Sequence, residues 1–205
     1  MLNVKDFIKM VESGADEIIG AEVELTEIDA KFGDADHGIT MTKVMKNIKK
    51  EIEGKSEDTS FKTLLDDIFM AVMVINGGSA VPLWSTLFEG MSEGAPDKNE
   101  VDEAEFKNMF KQGYETLYEL SKANVGDKTM MDTLIPAVEA IQKAEGDIKA
   151  VMSAGAEAAV AGAENSKNFV SKFGRAKSYK EKTIGTPDAG AVSMKYFFVG
   201  LNKAL

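Results

Sequence analysis

The chain has 205 residues, enough to bury a sizeable core in one large domain or two small ones, and 44% hydrophobic with 28% charged residues marks an ordinary globular protein. A formal charge of −10 disfavours a nucleic-acid or anionic-membrane binder. Zero Cys and a single His exclude disulfides, thiolate zinc sites and cysteine nucleophiles, and confine any Ser-His-Asp or multi-His chemistry to His37.

From the N-terminus, Met1 to Met10 lacks a signal-peptide core, and Val4, Phe7, Ile8 and Val11 recur at helical spacing. Ile18 and Ile19 lead on towards Leu25 and Ile28. Further helices are predicted from Met41 to Ile52, Phe61 to Val72, Phe106 to Leu120, Thr133 to Ile141, Ala150 to Ala163 and Val192 to Leu201. Turn-like breaks fall at Gly33-Asp34, Gly54-Lys55-Ser56, Gly77-Gly78, Gly94-Ala95-Pro96, Gly126-Asp127, Gly146-Asp147 and Gly185 to Asp188. About eight helices with short connections predict an all-α, antiparallel up-and-down bundle or barrel, read as one domain over residues 1–205. The small residues from Gly155 to Ala163 predict close helix packing. No run approaches the ~18 apolar residues of a membrane span, and the lack of cysteine fits a cytoplasmic location.

The segment most suited to chemistry runs from Leu25 to Gly38. Asp29 falls at a helix end, with Asp34 and Asp36 in the glycine-bounded turn after it. A turn can aim three carboxylates at one point, whereas positions 29, 34 and 36 point apart on a straight helix. Three hard oxygen donors suit Mg²⁺ or Ca²⁺ rather than zinc, and the spacing is not that of an EF-hand. Two Mg²⁺ on three carboxylates would leave net positive charge for a di- or triphosphate. His37-Gly38-Ile39-Thr40 then opens a helix, whose N-terminal amides favour phosphate. The alternative, an acidic turn with an N-cap Asp, stays open at this point.

Other segments are less plain. Asn76 to Pro82 allows close approach of a ligand to backbone. Gly126 to Asp132 reads equally as a helix start or a ligand loop. Arg175, in Gly174-Arg175-Ala176, is either a phosphate clamp or a solvated cation. His37 is either a structural histidine or a contact to bound phosphate. Neither a Walker A pattern nor a kinase-type glycine loop occurs.

Taken together, Asp29 … Gly33-Asp34-Ala35-Asp36-His37-Gly38, Gly77-Gly78, Gly126-Asp127-Lys128-Thr129-Met130, Gly174-Arg175-Ala176, Ile184-Gly185 and Asp188-Ala189-Gly190-Ala191 resemble, in order and over nearly the whole chain, the DhaL family. These are the nucleotide-binding L subunits of phosphotransferase-type dihydroxyacetone kinases; ATP-dependent dihydroxyacetone kinases use the same fold as a domain. The resemblance implies an antiparallel eight-helix barrel in which Asp29, Asp34 and Asp36 hold two Mg²⁺. It implies that His37, Gly38, Ile39, Thr40, Gly78, Ser79, Ala80, Thr129, Met130, Arg175, Asp188, Ala189 and Gly190 surround ADP. In that family a phosphohistidine carrier (M-type) subunit rephosphorylates the bound ADP, and the transient ATP passes its γ-phosphoryl to a ketose on a separate K-type subunit. No residue here is expected to accept the phosphoryl group, so no catalytic side chain is assigned, and the length predicts no fused substrate domain. The chain departs from the family pattern at Thr40 (usually Asn), at Val81 and Ser85 (usually Gly) and in the offset of Ser178-Tyr179, which bears on nucleotide affinity and substrate. An ATP-exchanging kinase subunit and an ADP-bound regulatory module are the alternatives.

Overall fold

The computed structural model describes residues 1–205. The α-helices are α1 (Val4–Gly20), α2 (Glu22–Ala30), α3 (His37–Ile52), α4 (Phe61–Met73), α5 (Ala80–Glu93), α6 (Glu103–Ser121), α7 (Met131–Lys143), α8 (Ile148–Asn165) and α9 (Ala189–Lys203). Two-residue strands β1 (Leu2–Asn3) and β2 (Glu100–Val101) pair antiparallel, an element without a sequence signal at that length. Side chains set the helix starts. Asn3, Ser60 and Asp147 accept hydrogen bonds from amides three residues on, and Asp102 with Glu105 forms a capping box on α6.

Each of α3 to α8 packs on its successor, α9 returns onto α1, and α1 packs on α3, so eight helices close a ring. The ninth, α2, is the short continuation of α1 beyond Ala21 and lies against α3 and α9. A contiguous cluster of 45 buried apolar residues is the core. Trp84, Phe88 and Phe197 meet there with ring centroids 5.2 to 6.2 Å apart, within the range of favourable aromatic pairs. The ring closes tightly at α1 and α9: a Cβ on Gly200 would stand 2.5 Å from Gly14 Cα and from the Ser13 carbonyl oxygen.

The all-α, closed eight-helix ring agrees with the expected class. Apolar spacing does not predict α5, because its buried face mixes Val81, Trp84, Leu87, Phe88 and Met91 with Ser85, Gly90 and Ser92. Those small residues let α6 approach: a Cβ on Gly90 would stand 2.6 Å from the Gln112 carbonyl oxygen. They also dilute the apolar repeat. No helix is long and apolar enough to cross a membrane.

Candidate functional site

An up-and-down ring brings the N-termini of alternate helices to one end. Here α3, α5, α7 and α9 begin around one cavity of about 460 Å³, a size suited to a small-molecule ligand. His37, Ser79-Ala80, Thr129-Met130 and Asp188-Ala189-Gly190 line it from those four starts. Free amides and aligned peptide dipoles at such termini favour an anion.

The acidic turn forms one wall. Asp29 lies in the last turn of α2, and its carbonyl accepts from the Phe32 and Gly33 amides, which folds the chain back. Asp29 Oδ2 accepts from the backbone N–H of Asp36 (3.0 Å) and of His37 (3.4 Å), so this side chain caps α3 from outside it. Gly33 packs on the same carboxylate; a Cβ there would fall 2.0 Å from Asp29 Oδ1. Ala35 at φ +60° takes a left-handed conformation unusual for a residue with a Cβ. Through that reversal one ligand oxygen from each of Asp29, Asp34 and Asp36 comes within 4.8 Å of the others. Desolvation, and then the charges of Asp34 and Asp29, raises the Asp36 pKa. Clustered carboxylate oxygens that repel one another are a donor set that fits a hard divalent cation. The cation beside them in the chain itself is Arg175, whose Nη1 stands 2.6 Å from Asp34 Oδ2.

His37 links α3 to α9. Ser193 Oγ lies 3.0 Å from His37 Nε2 and 3.0 Å from the Gly190 carbonyl oxygen, so one hydroxyl ties the start of α3 to α9. Burial lowers the His37 pKa and favours the neutral ring. The imidazole thus serves as a structural link while also lining the cavity.

Of the sixteen residues expected at the site, Gly38 and Ile39 lie off the cavity wall. Gly38 packs against the Glu22 carbonyl and Thr26, where a Cβ would collide, and the Ile39 side chain is 44% exposed. The other fourteen line the cavity. Thr40 is buried, with its methyl against Gly77, which Val81 also touches. The departures at positions 40 and 81 therefore press on the same turn.

Phe32, Leu83, Trp84, Lys128, Ser171 and Phe173 also line the cavity, although none of them is expected there from the sequence. Trp84 is fully buried in the core and is also among the residues that line the cavity. The turn before α7 is fixed by Asp132, which accepts from the amides of Gly126 (2.6 Å) and Thr129 (2.7 Å). Asp188 caps α9 by accepting from Ala191 N–H at 2.8 Å, and burial pushes its pKa up to about 7.

The DAK2 domain matches residues 31–203. The chain is 32% identical over 88% of its length to the ADP-binding subunit DhaL of PEP-dependent dihydroxyacetone kinase 2 of Listeria innocua, and covers 87% of that protein. It is 27% identical to the corresponding DhaL subunit of Escherichia coli, again covering 87% of it. Against dihydroxyacetone kinase 1 of Saccharomyces cerevisiae it is 32% identical but spans 34% of that longer chain. The crystal structure of the dihydroxyacetone kinase of C. freundii superposes on all of this chain with TM-score 0.71 and 25% identity, using 35% of the kinase. With its helical ring reproduced there and the domain matched over most of its length, this chain belongs to the DAK2 domain family.

Proposed function

We propose that residues 1–205 act as one nucleotide-binding unit, the ADP- and Mg²⁺-binding subunit of a phosphotransferase-system dihydroxyacetone (small ketose) kinase. The observation that carries this reading is the juxtaposition of the Asp29, Asp34 and Asp36 oxygens with four helix N-termini around one cavity. Relatives named as ADP-binding DhaL subunits match along most of their own length, and a related kinase structure is described as a complex with AMP-PNP and Mg²⁺. The three carboxylates would hold the metal, which when bound supplies charge neutralisation of the phosphates. The helix N-termini orient the phosphates, and Arg175 adds a charged donor to them. The chain offers no cysteine, and its one histidine is engaged with Ser193. As the resemblance implies, the acceptor hydroxyl would come from a ketose on a K-type partner, and the phosphoryl group from a phosphohistidine carrier of M type. Catalysis here is positioning and electrostatic stabilisation. The setting is cytoplasmic, where such carriers operate.

The protein, purified and then denatured, should release ADP at close to equal molarity. Its ketose phosphorylation should require both the K-type partner and the phosphohistidine carrier. Turnover with free ATP in place of the carrier would overturn this reading in favour of an exchanging kinase subunit. The equal 32% identity to the yeast kinase keeps that reading as the second one.

A further inference from the structure

Between α8 and α9 the chain makes an excursion over residues 166–187, here called the strap. It carries Arg175 and lines the cavity through Ser171, Phe173, Gly174, Arg175, Ala176 and Pro187. Its tip rests on the acidic turn: Arg175 pairs with Asp34, and the Tyr179 and Phe32 rings lie 5.2 Å apart. Both tip contacts are partly exposed, and an exposed ion pair contributes little more than about 1 kcal/mol. The tip alone is a weak anchor.

The neck of the strap is built differently. Gly185 N–H donates to the Lys167 carbonyl (2.7 Å), and Ser171 N–H to Thr183 Oγ1 (3.0 Å), which joins the outgoing and returning arms. Lys128, only 4% exposed, enters this neck from the turn before α7. Its Nζ donates to the carbonyls of Ser166 (2.8 Å) and Phe169 (3.1 Å) on the outgoing arm and of Thr186 (2.6 Å) on the returning arm. Three ammonium protons meet three acceptors, all main-chain. Ser166 continues the network by accepting from Asp188 N–H (3.0 Å), at the start of α9. Asp132 and Asp188 supply the surrounding negative charge, while burial lowers the Lys128 pKa. A buried ammonium is costly unless fully hydrogen-bonded, and this one makes no side-chain ion pair. A neutral polar residue could close one or two of these contacts; satisfying all three carbonyls across both arms needs the three divergent donors of lysine.

We infer that Lys128 is a positioning residue: by clamping the two arms of the strap together it sets Arg175 over the acidic turn and the phosphate-facing end of the cavity. The inference rests on the nucleotide reading for its consequence in binding, but not for the clamp itself.

Two measurements test it. The strap offers trypsin six sites, Lys167, Lys172, Arg175, Lys177, Lys180 and Lys182. In Lys128→Met, without ligand and under conditions where urea titration shows the protein folded, cleavage in the strap should rise about tenfold or more over wild type. Amides of the ring helices should exchange no faster than the change in global stability demands. If the methionine variant fails to fold, Lys128→Gln replaces it: a shorter, neutral side chain with two donors reaches at most two of the three carbonyls, so strap cleavage should still rise above wild type. Strap cleavage that stays at the wild-type rate, or rises only in step with global unfolding, overturns the clamp. Second, binding of Mg²⁺ with ADP is titrated for wild type, Lys128→Met, Arg175→Ala and the double variant. If Lys128 acts through Arg175, adding Lys128→Met to Arg175→Ala weakens binding by no more than about twofold further. Multiplication of the two single effects overturns the route through Arg175. Wild-type protein that binds no ADP would remove the nucleotide reading while the proteolysis result still decides the clamp.

Discussion

Asp29 does two jobs with two oxygens. Oδ2 accepts from the α3 amides, which leaves Oδ1 without those bonds, in a carboxylate cluster with Asp34 and Asp36 that would hold the proposed cation. Gly33 lies against that oxygen, so Gly33→Ala must push either the carboxylate or the turn aside. Mg²⁺-dependent ADP binding should fall about tenfold or more, in line with disturbance of a metal site, with the circular dichroism of the helices unchanged. Asp34→Asn should weaken it similarly by removing one charged donor and the Arg175 partner, and calorimetric titration checks both. Unchanged binding in either variant would sink the metal assignment. The carboxylate cluster was legible because three Asp fall within eight residues of a glycine turn. Lys128 and Ser193 were not, because a lysine in a polar turn reads as solvated and a serine in an apolar helix reads as filler. Their partners lie far away in sequence, Thr186 for Lys128 and His37 for Ser193, and only the folded ring brings them together.

Helices obey the same logic of proximity. Where α1 and α9 close the ring, Gly200 has no room for a Cβ against Ser13 and Gly14. Gly200→Ala forces those helices apart, and overpacking of this kind costs typically about 1–3 kcal/mol, to be read as a lowered urea midpoint with m unchanged. The start of α9 carries a pH signature. Asp188 is pushed from 3.8 to about 7 in the folded protein, so between those values the folded state holds a proton that the unfolded chain has released. Its contribution to stability is complete below the unfolded pKa and is lost as pH rises through about 7. Asn caps a helix as well as Asp but does not titrate. Ligand-free Asp188→Asn should therefore gain stability over wild type between about pH 5.5 and about pH 8, and a constant difference across that range would refute the assignment. Most helices were legible from apolar spacing. The strap was not, since it has no period, and α5 was diluted by the small residues that fit it against α6.

At the scale of the whole molecule, the ring turns local signals into a site by placing the starts of α3, α5, α7 and α9 at one end. The ligand would then bridge the acidic turn, the α5 turn, the turn before α7 and the strap, contacts that exist together only in the folded ring. A ligand bound to the folded state alone stabilises it by mass action, by about 2.7 kcal/mol at a hundredfold excess over its dissociation constant. For a domain of this size that corresponds to a rise in melting temperature on the order of 5–10 °C. ADP with Mg²⁺ should produce this shift, and either component alone should produce much less, because the carboxylates repel bare phosphates and the cation alone meets only one wall. Trp84 reports the same event: it lines the cavity and packs edge-on against Phe197, so its emission should change on binding. The protein must first be stripped of nucleotide, or the shift is already present at the start. A stripped protein whose melting temperature and Trp84 emission both ignore Mg²⁺ with ADP would show that the four helix starts do not form a nucleotide site.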